Sequence, residues 1–166
     1  MRPTFRLLFS HPAHFISLGF GSGLSPRAPG TAGTIAAWLL YPLVRAPISD
    51  FVFLALLASF FVAGTIAADR TGRALGASDH GAIVWDEIVA FWLVLFFTPA
   101  GLAWQAIAFV LFRFFDIVKP PPVRWADRRV KGGFGVMLDD LIAAGYAILI
   151  LALLVRLLGP SPWTNT

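Results

Sequence analysis

The chain contains no cysteine. That excludes disulfides, cysteine-ligated zinc, thiol nucleophiles and any phosphatase chemistry built on cysteine. Charge is scarce as well. Only 13% of the 166 residues are Asp, Glu, Lys or Arg, against roughly 25% in an ordinary soluble domain. No glycine-rich stretch is followed by Gly-Lys-Ser/Thr, so there is no Walker loop. Internal repeats and low-complexity segments are missing. The N-terminus does not read as a signal peptide, because His11, Pro12 and His14 interrupt its apolar stretch at once. Uninterrupted apolar runs of the roughly 20 residues needed to cross a bilayer alone are also wanting. The segment 51–68 comes nearest, with 18 uncharged residues.

What fills the composition is apolar: 58% of the residues, including 16 Phe and 6 Trp. A surface this poor in charge must be covered in part by a bilayer or a large partner. The length allows one domain, residues 1–166. Five apolar stretches appear, at 7–26, 28–44, 51–68, 88–112 and 141–155. Their pattern predicts an all-α, membrane-embedded helical bundle of about four to five apolar helices with interfacial loops. Some of these helices are expected inside the bundle, out of contact with lipid.

The break at Thr98, Pro99, Ala100 and Gly101 reads as the turn of a helical hairpin with arms at 82–98 and 102–118. Antiparallel pairing sets Asp86 level with Arg113, and Glu87 near Asp116. Placing 28–44 with 51–68, the hairpin and 141–155 in a membrane puts eleven of the 13 Lys and Arg on one side. Only Arg45 and Arg156 fall on the other. That bias makes the rich side cytoplasmic. Eight of the nine acids, all but Asp50, fall there too. The net charge of +4 beside apolar runs points to membrane lipids as partners, not nucleic acid.

Ionisable residues in such surroundings are costly and usually functional. Asp86 and Glu87 at a helix start, Asp116 at a helix end, and Asp139 and Asp140 at the start of the last helix bring hard oxygen donors to one face. Mg²⁺ prefers such ligands, together with waters and a substrate phosphate. The bland alternative is that the acids are caps and ion-pair partners, with Asp86 neutralising Arg113. The basic run carrying Arg113, Lys119, Arg124, Arg128 and Arg129 supplies what a phosphomonoester needs. Its alternative role is a positive flank that fixes topology, the reading preferred for Arg128 and Arg129. The stretch 19–34 offers backbone N–H groups to a phosphate, or simply close helix packing. His80 is a candidate proton shuttle or an incidental loop residue, while His11 and His14 read as interfacial.

Four blocks, GFGSGLSPRAPGTAGT, DHGAIVWDE, FRFFDIVKPPPVRWADRR and GGFGVMLDD, together resemble the phosphatidylglycerophosphatase A family in content and order, over about residues 19–145. The resemblance implies an Mg²⁺-dependent phosphatase of the bacterial inner membrane, multi-pass, with its active site facing the cytoplasm. Its implied substrate is phosphatidylglycerophosphate, converted to phosphatidylglycerol. Carried over by motif, Asp86, Glu87, Asp139 and Asp140 hold the metal, and Asp86, Glu87, Asp116 and Asp140 are catalytic. Thr31, Arg113, Lys119 and Arg124 bind substrate. The Pro120, Pro121, Pro122 run departs slightly from the family's Lys-Pro-aromatic-Pro. The competing expectations are a non-catalytic small membrane protein, a peripheral lipid-binding module, and a phosphatase of another phosphorylated lipid or small molecule.

Overall fold

The computed structural model describes residues 3–46 and 48–159. Arg2, counted in the positive flank, lies outside them. Among the described residues the fold is all-α, without a strand. Two short helices, α1 (Phe5–Leu8) and α2 (Pro12–Ser17), lead into a 3₁₀ segment at Gly19–Leu24. The long elements follow: α3 (Pro29–Arg45), α4 (Asp50–Leu75), α5 (Trp85–Phe96), α6 (Leu102–Val118), the short α7 (Val123–Arg129) and α8 (Gly132–Leu158).

Local chemistry sets these bounds. Pro29 opens α3 at a position where its missing N–H costs nothing. Ser49 caps α4 by accepting from the Val52 N–H at 3.4 Å. The break after Phe96 falls where the Pro99 and Gly101 signals place it, and α5 and α6 form the expected hairpin.

Helix α5 is the centre of the bundle. Nine of its 12 residues are buried, with α3, α4, α6 and α8 packed around it. Its indoles tie it to its neighbours: Trp92 Nε1 donates to the Ala37 carbonyl of α3 at 2.8 Å, and Trp85 Nε1 to the Phe60 carbonyl of α4 at 3.1 Å. Phe91 stacks on Phe112 of α6, ring centroids 5.6 Å apart. At about 1.5 Å per residue α5 is roughly 18 Å long, too short to cross a hydrocarbon core of about 30 Å. It is therefore one of the helices buried in protein.

Among the described residues, two helices are long and apolar enough to span: α4, with 26 residues, and α8, with 27. Helix α8 begins at Gly132, so Asp139 and Asp140 lie about two turns inside it, not at its start as the sequence pattern suggests. The physical reason is close packing of its first turn. A Cβ on Gly133 would stand 1.8 Å from the Thr65 carbonyl, so only glycine lets α8 begin against α4 there.

Candidate active site

The charged residues meet at one end of the bundle. Four elements deliver them: the first turn of α5, the last turn of α6, α7, and the second turn of α8. The start of α5 is held by the Val84 N–H, which donates to the Ser17 carbonyl at 3.0 Å. Trp85, bonded to α4, then orients the turn, and Asp86 and Glu87 follow inside the protein.

Arg113 organises one half of the cluster. Its Nη1 lies 3.1 Å from Glu87 Oε1 and 2.7 Å from Asp116 Oδ2, one turn along α6. It also donates to Thr34 Oγ1 at 3.4 Å, and Thr34 donates to the Gly30 carbonyl at 2.9 Å. The predicted hairpin register is thus right to within a residue, but Glu87, not Asp86, is the partner of Arg113. Gly30 leaves room for this arrangement: a Cβ there would stand 1.8 Å from Glu87 Oε1.

Lys119 organises the other half. The chain leaves α6 at Lys119 with a left-handed backbone, φ 47°. Its Nζ donates to Asp127 Oδ1 of α7 at 2.7 Å and to Asp139 Oδ2 of α8. Tyr146 Oη, donating to the Pro121 carbonyl at 2.6 Å, fastens the intervening loop to α8. Asp127 is a site residue that the sequence reading missed. The only available signal was an acid standing among Arg124, Arg128 and Arg129.

Of the six carboxyls gathered here, those of Glu87, Asp116, Asp127 and Asp139 pair with the two cations, and those of Asp86 and Asp140 complete the set. Asp140 lies within electrostatic reach of Asp116, Asp86 and Glu87. Burial, then the charge of Glu87, pushes Asp86 well above the usual carboxylate range. Burial, then the charge of Asp116, pushes Glu87 up to about 8 despite Arg113. Burial alone would lower the Lys119 ammonium, but its hydrogen bonds to Asp127 and Asp139 hold it above its usual value. The bond from Lys119 in turn draws Asp127 down.

Four carboxylate oxygens here are buried without a partner: Asp86 Oδ1, Glu87 Oε2, Asp139 Oδ1 and Asp140 Oδ2. Buried acceptors are almost always satisfied in folded proteins. Excess negative charge and unsatisfied hard oxygens fit a divalent cation such as Mg²⁺. Among the described residues, no group of three or more acidic or histidine side chains is arranged to hold a metal ion; Arg113 and Lys119 engage some of the oxygens instead. The donor type, hard carboxylate oxygen, is the one such an ion takes.

Other candidates are not brought in. Thr31 is half-buried and, among the described residues, makes no side-chain hydrogen bond; Thr34, one turn on, is the threonine that reaches Arg113. Arg124 is exposed and donates to the Val118 carbonyl at 3.3 Å, so it closes its own loop. His80 accepts from the Ala82 N–H at 3.2 Å in the turn before α5. The glycine-rich stretch packs on that same turn, Gly23 abutting the Ala82 carbonyl. His14 is buried, not interfacial, with Nδ1 2.9 Å from Thr71 Oγ1.

The family model described as Phosphatidylglycerophosphatase A matches residues 15–155. The phosphatidylglycerophosphatase A of Haemophilus influenzae is 42% identical over 150 residues, covering 89% of this chain and 91% of that protein. That of Escherichia coli (strain K12) is 41% identical over 150 residues, covering 83% and 80%. A putative phosphatidylinositol-3-phosphatase of Bacteroides thetaiotaomicron is 42% identical over 144 residues, covering 82% and 89%. No solved structure matches.

Proposed function

The chain belongs to the phosphatidylglycerophosphatase A family, and from that membership together with the charged cluster we infer that it is a phosphoric monoester hydrolase. Its substrate is phosphatidylglycerophosphate and its products are phosphatidylglycerol and inorganic phosphate. The observation that supports this most is the set of four orphaned carboxylate oxygens beside two cations at one end of the bundle.

In this reading Asp86, Glu87, Asp139 and Asp140 hold Mg²⁺. Bound there, Mg²⁺ supplies charge neutralisation and Lewis-acid polarisation for phosphoryl transfer. Arg113 and Lys119 exchange part of their carboxylate contacts for phosphoryl oxygens and stabilise the charge that develops on them. Thr34 and Gly30 keep the Arg113 guanidinium aimed across the cluster. Asp127 keeps Lys119 protonated and in place. Asp116 accepts the proton of the attacking water as the oxygen–phosphorus bond forms, and the phosphorus–oxygen bond to the glycerol breaks with the leaving oxygen taking a proton from water. Burial of Asp86, Asp116, Asp139 and Asp140 strengthens their interactions relative to water.

A lipid substrate requires the cluster to meet a membrane. Only 28% of the apolar window of α4 and 22% of that of α8 are buried within the protein. Exposed side chains such as Leu39, Phe51, Val110 and Leu149 continue the apolar surface around the bundle. We therefore place the protein in the bacterial inner membrane as a multi-pass protein, with α4 and α8 spanning and the cluster at the cytoplasmic side, where the Lys and Arg excess lies.

The Bacteroides relative supports a second reading, in which the headgroup is a phosphorylated inositol. Phosphate release by the purified protein in detergent micelles with Mg²⁺ separates the two. Release from phosphatidylglycerophosphate well above that from phosphatidylinositol 3-phosphate is expected. The reverse order would favour the second reading, and release from neither would argue against both.

A further inference from the structure

An apolar groove of about 380 Å³ runs between α4, α5 and α8. Leu57 and Phe61 of α4, Val89 and Leu93 of α5, and Leu141 of α8 line it, with Ala58 among the α4 residues bordering it. Its place relative to the acids is specific. Val89 and Leu93 follow Asp86 at three and seven residues, so the three share one stripe of α5. Leu141 directly follows Asp140. At the level of the acids α4 is pinned against both partners: a Cβ on Gly64 would stand 2.5 Å from Trp85 and 2.7 Å from the Met137 sulfur. From that level the groove extends along α4 away from the charges, from Val62 back to Leu54, about 12 Å at the helical rise.

Its base is buried, with Leu57 and Val89 only 6% and 4% exposed. Its rim is open, with Leu54 and Val62 39% and 61% exposed. Two of its walls are the helices that meet the length and hydropathy of a membrane span. The result is buried charge at one level of the bundle and, starting about a turn away on the same helices, an apolar trough that opens outward. A phosphorylated headgroup attached to a hydrocarbon chain has the complementary chemistry.

Building on the phosphatase reading above, we propose that this groove is a binding site for one acyl chain of the phosphorylated lipid substrate, and that it aligns the ester phosphate with the acid cluster. The groove selects a lipid monoester over a water-soluble one with the same headgroup, because only the lipid can use headgroup and trough together. Anchoring the chain restricts the phosphate to the cluster, in the way that remote binding supports chemistry elsewhere on a substrate.

Ala58 is exposed at the groove and lies outside the charged cluster, so Ala58→Trp fills the trough without touching the acids. The test compares dioleoyl phosphatidylglycerophosphate with its deacylated headgroup, glycerophosphoglycerophosphate, both with Mg²⁺ and full-length protein in mixed micelles. The expected result is a kcat/KM for the dioleoyl substrate lowered about tenfold, and turnover of the deacylated headgroup equal to wild type. Equal loss on both substrates, or no change on either, would overturn the proposal. If wild type hydrolyses neither substrate, the phosphatase reading fails, and the groove is judged separately by cross-linking. For that arm a phosphatidylglycerophosphate carrying a diazirine near the end of one acyl chain is photolysed with wild-type protein in phosphatidylcholine vesicles. Labelling concentrated on residues 54–62 and 89–93 supports the proposal; even labelling of the whole lipid-facing surface contradicts it. A second copy of the chain as occupant would show as rapid disulfide dimerisation of an Ala58→Cys protein in vesicles, and that outcome also counts against it.

Discussion

Arg113 Nη1 stands 3.1 Å from Glu87 Oε1 across the α5–α6 hairpin, and the same nitrogen holds Asp116 at 2.7 Å. One guanidinium thus separates two buried carboxylates that would otherwise repel each other. Replacing Arg113 with Ala should lower kcat/KM by about 10²–10³-fold, the scale on which a single charge-stabilising donor contributes. Arg113→Lys should recover only part of this, since an ammonium lacks the planar pair of donors that binds a phosphoryl group through two oxygens. Steady-state kinetics on protein of native circular dichroism checks both; full activity in Arg113→Ala would remove Arg113 from the mechanism.

Asp86→Asn and Asp140→Asn remove charge where several acids crowd. Each should abolish turnover to within about 1% of wild type or less, while thermal stability in EDTA stays equal to wild type or rises, because like-charge repulsion falls. Activity and stability measured on the same preparation give the comparison. Loss of both together would mean that the carboxylates hold the fold, not the substrate.

The metal-free protein should lose stability as pH rises. Glu87 has a usual value of 4.5 and is pushed up to about 8 in the folded protein. Between these values the folded state binds more protons than the unfolded state, so stability falls through that window. Mg²⁺ should reverse the fall at pH 8, since a ligand that binds only the folded state stabilises it. Melting temperatures from pH 5 to pH 8, with EDTA or with Mg²⁺, test this; a flat profile in EDTA would show that the acids are not electrostatically loaded.

Gly30→Ala offers a test of packing. In an ordinary helix Ala is favoured over Gly by up to about 1 kcal/mol. Here the new Cβ would overlap Glu87 Oε1 at 1.8 Å, so Glu87 must move off Arg113. The predicted sign is therefore reversed: a loss of about 1–3 kcal/mol together with reduced activity. A more stable and fully active Gly30→Ala would refute the close approach of α3 and α5.

Several of these relationships are legible in the sequence. Pro99 and Gly101 placed the hairpin turn, and counting outward from it brought Arg113 opposite the Asp86–Glu87 pair. The count could not say which acid meets Arg113, because neighbouring helix positions differ by about 100° in direction and burial of α5 decides the rotation. The same ambiguity hid Thr34 behind Thr31. Helix α8 started seven residues ahead of Asp139, since its glycines weaken the helical pattern yet allow the contact with Thr65. Asp127 was masked by the arginines around it, and only the left-handed turn at Lys119 brings it into the cluster. His14 looked interfacial beside Pro12 and His11, but the packing of α2 on α4 buries it against Thr71.

The most direct test is phosphate release from phosphatidylglycerophosphate in detergent micelles by wild type and Asp140→Asn side by side, in Mg²⁺, in EDTA, and in EDTA followed by excess Mg²⁺. The account predicts release by wild type that stops on chelation and returns with Mg²⁺, and release by a folded Asp140→Asn at least about 100-fold slower. A folded Asp140→Asn with full turnover, or wild-type release indifferent to EDTA, would contradict it.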